Sequence, residues 1–129
     1  MEALTYTAGN EHNPTDPFGR ILLEITGDGE VRFSRYARTG DQHSAAHASA
    51  DLLARLRAAL ATAGFPVAPT LLPRPGDRLR QLTVTGDPAG VVRLPWYEAA
   101  KLPGYSDLFA LLDDLVARLS ADPPPADLD

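Results

Sequence analysis

The stretch SADLLARLRAALATAGFP, residues 49–66, decides the fold. At 100° per residue, Leu52, Leu53, Leu56, Ala59, Leu60 and Ala63 fall within one arc of roughly 120°. Arg55, Arg57, Ala58 and Thr62 fall outside it. Ser49 is placed to cap the first turn, and Asp51 suits the positive end of the helix dipole. Gly64 supplies the left-handed residue past the last turn, Phe65 packs back on Leu60, and Pro66 forbids continuation. A helix with one apolar face has to cover something, and the flanking segments supply a sheet.

Upstream, residues 20–26 read RILLEIT, with Ile21, Leu23 and Ile25 on one side. The tight-turn signal Gly27-Asp28-Gly29 joins this strand to residues 30–36, EVRFSRY, where Val31 and Phe33 point one way. After a second turn at Thr39-Gly40-Asp41, residues 42–48 read as a weak third strand. Residues 1–19 are expected to be an extended arm or an edge strand. Leu4-Thr5-Tyr6-Thr7 is the only strand-like part, and Pro14 and Pro17 exclude regular structure in the stretch containing them.

Downstream, residues 67–77 hold Pro69, Pro73, Pro75 and Gly76 and form a loop. Residues 78–85 form a strand with Leu82 and Val84 inward. Leu79 has the opposite parity, which predicts a bulge or kink near Arg80. Residues 91–96 return, with Val92, Leu94 and Trp96 on one face, and Pro95 marks an edge. A helical turn is expected at 98–102. Ser106 is then expected to cap a second helix whose apolar side carries Leu108, Leu111, Leu112, Leu115, Val116 and Leu119. Residues 122–129, with three consecutive prolines, read as a disordered acidic tail. The expected fold is α+β: an antiparallel sheet of four to five strands with two helices on one face, ordered ββ(β)-α-ββ-α, in a single domain over residues 20–121.

Composition narrows the function classes. The chain has 129 residues, net charge −5 and mean hydropathy −0.16. That charge argues against nucleic acid and membrane surfaces as partners and fits a basic protein partner. Without cysteine there is no thiol chemistry. No leader pattern or membrane span is legible, so the expected location is the cytoplasm. Eleven arginines against one lysine suggest a bacterial genome.

No catalytic set assembles on paper. His43 and His47 have metal-ligand spacing, and Asp51 extends the series, but zinc needs three or four ligands and His12 lies far off in the first segment. The serines are each explained by a strand, loop or cap. Asp113-Asp114 lies on the outer side of its helix, and Asp28 and Glu30 flank a turn. No catalytic residue, cofactor or metal ligand is therefore assigned. What remains is a basic and aromatic patch of Arg32, Arg35 and Arg38 with Phe33 and Tyr36, and the aromatics Trp96, Tyr97 and Tyr105. Trp96 has inward parity, so Arg32, Tyr36, Tyr97 and Tyr105 are the partner-binding candidates.

The helix over 51–63, the Gly64-Phe65 exit, the loop 69–76 and the strands 79–85 and 91–94 together resemble small bacterial proteins of the emfourin type, inhibitors of M4 metalloproteases. The resemblance implies a non-catalytic inhibitor of a protease or other enzyme. Residues 1–20 and 96–105 lie outside it, and it carries over no functional residue. The expected function is protein binding by a monomer or homodimer. Alternatives are an immunity protein neutralising a cognate toxin, or a small-molecule-binding or enzymatic domain with its site near residues 96–105. A structural domain that dimerises through an open sheet edge is a further one.

Overall fold

The computed structural model describes residues 1–9 and 19–129. Ten elements follow in order: β1 (Ala3–Gly9), β2 (Arg20–Thr26), β3 (Glu30–Ala37), β4 (Gly40–Ala48), α1 (Ala50–Ala63), β5 (Leu79–Thr85), β6 (Gly90–Pro95), α2 (Trp96–Ala99), α3 (Tyr105–Leu119) and β7 (Asp127–Leu128). The strands form one seven-stranded mixed sheet in the order β6-β5-β1-β2-β3-β4-β7. The class is α+β, with more strands than expected.

Two corrections account for the extra strands. The supposed arm or edge strand is β1, an internal strand paired antiparallel with both β2 and β5. Leu4, Tyr6 and Ala8 alternate inward and are fully or almost fully buried, so the strand has a core face that a four-residue reading understated. The tail is also ordered at its end. β7 pairs parallel with the end of β4, and Leu128 is 1% exposed. That single parallel pair makes the sheet mixed rather than antiparallel. Asn13, Pro14 and Pro17, and His12 with them, lie outside the described residues.

α1 behaves as its sequence dictates. The Ser49 side chain accepts from the Leu52 N–H at 3.1 Å, Gly64 is left-handed at φ 77°, and Phe65 is buried beside it. Leu52, Leu53, Leu56 and Leu60 are its buried side. They share one core with the inward sheet residues and with Leu108, Phe109, Leu112, Leu115 and Leu119 of α3. α3 starts one residue before its expected cap: Gly104 occupies that position, and Tyr105 is the first helical residue. Among the described residues no helix is long and apolar enough to cross a membrane.

β5 contains no bulge. Its register with β1 runs unbroken from Leu79 opposite Gly9 to Thr85 opposite Ala3. Arg80, Leu82 and Val84 face the helices, and Leu79 faces the other way.

Candidate protein-contact surfaces at the two sheet edges

An antiparallel ladder alternates residues whose backbone bonds point to one neighbour and then to the other. The Trp96 N–H donates to the Arg78 carbonyl at 2.8 Å. Stepping by two from that pair turns Leu94, Val92 and Gly90 toward β5, so Val91, Arg93 and Pro95 turn their backbones outward. Pro95 has no N–H to offer. At the opposite edge the His47 N–H donates to the Ala126 carbonyl at 2.8 Å, away from β3. The same stepping turns Asp41, His43 and Ala45 outward. No backbone bond to those three outward groups occurs among the described residues.

The β6 edge is flanked by the loop that leaves α1. The loop is fixed at both ends. A Cβ on Gly90 would lie 2.5 Å from the Pro66 ring, so only glycine lets the loop start this close. At the other end the Arg78 carbonyl accepts from Trp96. Between them the Tyr105 hydroxyl donates to the Val67 carbonyl at 2.7 Å. The loop stands off from the strand and leaves a cleft of about 360 Å³, lined by Ala68, Leu71, Leu79, Val91 and Pro95 among others. A second cleft, about 320 Å³, adjoins the Pro95 end. Its lining holds Arg74, Arg78 and Lys101 with two carboxylates, Asp77 and Glu98. Both carboxylates are engaged, Glu98 with Lys101 at 3.3 Å and Asp77 with the Arg74 N–H at 2.8 Å.

Five large hydrophobic side chains are exposed among the described residues. Four belong to this side: Val67 and Leu72 (89% exposed) on the loop, Val91 on the edge and Tyr97 (74%) just past it. The fifth, Tyr36, lies four interstrand spacings away, about 19 Å.

Beneath the Pro95 end lies a polar cluster that the sequence did not announce. Arg80 is 5% exposed. It donates to the Tyr6 hydroxyl at 2.6 Å, to Asp113 Oδ2 at 2.7 Å and to the Trp96 carbonyl at 3.4 Å. Tyr6 donates to Asp113 Oδ1 at 2.8 Å. The guanidinium carbon sits 3.5 Å from the Trp96 ring centre and 5.3 Å from that of Phe109. These partners offset the cost of removing a charge from water. Burial, and then the Asp113 carboxylate, push the Tyr6 hydroxyl well above the ordinary tyrosine range. The cluster ties β1, β5, α3 and the start of α2 together.

The sequence candidates separate. Tyr97 is exposed at the β6 side. Arg32 and Tyr36 lie on the helix-free face near β4, with His43, whose Nδ1 is 2.9 Å from the Ser34 hydroxyl. Tyr105 is not a surface residue: it is buried at the start of α3, and burial raises its hydroxyl pKa. Asp113 is not on an outer face either, since it turns to Arg80; only Asp114 is exposed, paired with Arg118 at 3.0 Å. His43 and His47 are on one strand, about 13 Å apart along it, which is too far to share an ion. Asp28 accepts from the Thr26 hydroxyl across the first hairpin turn, and that bond holds its carboxyl below the usual range.

No protein-family model matches this sequence, and no curated protein matches it.

Proposed function

We propose that this chain is a non-catalytic protein-binding domain whose contact surface is the β6 side. The observation that carries the reading is that four of the five large exposed hydrophobic side chains of the described residues belong to this edge strand and the segments flanking it, Val67 and Leu72 on the loop, Val91 on β6 and Tyr97 just past it. Large exposed apolar groups gathered in one place favour association, and an aromatic among them supplies a large share of contact energy. The neighbouring cleft carries three cationic side chains against two carboxylates on a chain of net charge −5. Local charge therefore favours an acidic partner surface, the reverse of what the net charge suggested. Inhibition of a protease or other bacterial enzyme is the action we assign to this binding, and neutralisation of a toxin would use the same surface.

The small-molecule reading has one observation in its favour, the 320 Å³ cleft at residues 95–101. Its chemistry is weaker. The Trp96 ring already holds the Arg80 guanidinium, and both carboxylates are engaged within the rim.

The test is affinity capture from a lysate of the source organism with tagged wild type and with the double variant Leu72→Asp, Tyr97→Ala. Both side chains are exposed, so folding is expected to be unchanged. The expected result is a stoichiometric partner retained by wild type and lost by the variant. A partner retained equally by both, or by neither, overturns the assignment of this surface.

A further inference from the structure

The other edge supports a separate inference. We infer that the β4 edge pairs with the β4 edge of a second copy of this chain, antiparallel and centred on His43. The inference does not depend on the β6-side reading.

Three observations lead to it. First, β4 carries few of the devices that usually blunt an edge. Gly40–Ala48 contains no proline and no lysine, and its ladder with β3 runs without a bulge over its first eight residues. Second, the C-terminal strand fixes how much edge is open. Ala126 takes the His47 N–H and Leu128 takes the Ser49 N–H, both at 2.8 Å. The outward backbone left is that of Asp41, His43 and Ala45. The one twofold register that uses all three sets His43 opposite His43 and Asp41 opposite Ala45 of the other copy. A shift by two residues in either direction leaves one of the three without a partner or requires the occupied His47 N–H.

Third, the register sets hydrogen-bond acceptors beside imidazoles. On the helix-free face, each Asp41 lies opposite Ala45 of the other copy. Its diagonal neighbours there are His43 and His47, within reach of long or charged side chains. Each carboxylate is thus placed between two imidazoles, and the symmetry repeats the arrangement. The occupant follows from this self-match. A foreign strand would meet the same three residues without a fixed register.

The absence of cysteine gives a direct test. In this register His43 faces its own symmetry mate in a hydrogen-bonded pair, with Cα atoms about 5.5 Å apart, inside the range a disulfide spans. In the full-length protein, His43→Cys is expected to cross-link to a covalent dimer on mild oxidation. Ala45→Cys is expected to stay monomeric, because its two copies lie four residues apart along the pair. Sedimentation equilibrium of the unmodified protein is expected to show a concentration-dependent dimer. Ala45→Pro removes an outward N–H and no bond to β3, so it should keep its melting transition and lose the dimer by tenfold or more. Cross-linking of Ala45→Cys as efficiently as His43→Cys would overturn the register. A wild type that stays monomeric at millimolar concentration, or an Ala45→Pro variant that still dimerises, would overturn the interface.

Discussion

At the β6 edge, Val91 and Pro95 turn outward toward a proline-rich loop, and the space between holds exposed apolar side chains. At the β4 edge, Asp41, His43 and Ala45 turn outward, and among the described residues no such loop lies beside them. The side-chain supports also differ. Near β6, Arg80 is bound by Tyr6, Asp113 and Trp96. Near β4, Gln42 donates to the carbonyl of Ser120, the residue that ends α3, at 3.2 Å, and Ser44 to that of Leu119 at 3.1 Å. One edge offers apolar surface on a rigid base, and the other offers backbone. An unpaired edge alone therefore does not identify a partner site. What stands beside the edge decides whether side chains or main chain make the contact.

The largest expected contrast is in stability. Arg80→Met leaves Tyr6 and the half-buried Asp113 without their cation and should cost about 3 kcal/mol, the low end for breaking an ion pair with a buried member. Gln42→Ala at the other edge should cost about 1 kcal/mol, the worth of one ordinary hydrogen bond. Equal losses in chemical denaturation would break the claim that the two sides are differently anchored. Next in size is Leu128→Ala, expected to cost about 2 kcal/mol. A midpoint unchanged from wild type would mean that β7 contributes nothing to closing the β4 edge.

The alkaline limb comes third. Tyr6 and Tyr105 both have hydroxyl pKa values raised by burial, so the unfolded chain releases those protons first. Stability is then constant below about pH 10 and falls above it, by up to about 1.4 kcal/mol per pH unit for each such group. Tyr6→Phe should flatten that fall, which sharpens the comparison because both phenols belong to the β6 half. The smallest effect is expected from paired edge prolines. Val91→Pro and Ala45→Pro should each melt within about 1 kcal/mol of wild type, since neither removes a ladder bond. Only Ala45→Pro should abolish self-association.

The main elements were legible because each is locally consistent. Ser49, the leucine stripe and Gly64-Phe65 all specify the same helix, and RILLEIT with its Gly-Asp-Gly turn specifies a hairpin. β1 was underread because Ala8 and Gly9 are weak strand formers whose inward role depends on β5, distant in sequence. β7 is two residues long, and its strand character comes entirely from β4. The polar cluster was hidden by a preference for leucine as the inward residue. Arg80 shares parity with Leu82 and Val84, and taking that parity literally would have removed the supposed bulge. Asp113 follows Phe109 by four residues and precedes Val116 by three, so it sits within α3's buried stripe. Those two spacings were the available signal. The contact surface had none of comparable strength, because the loop that carries Val67 and Leu72 is placed beside the edge only by the fold.

The most direct test is photocrosslinking in the source organism from a benzoylphenylalanine placed at position 97 in one strain and at position 36 in another. The expected result is a covalent adduct with a different protein from position 97 and none from position 36. A foreign adduct from position 36 with none from position 97 would contradict the assignment of partner binding to the β6 side.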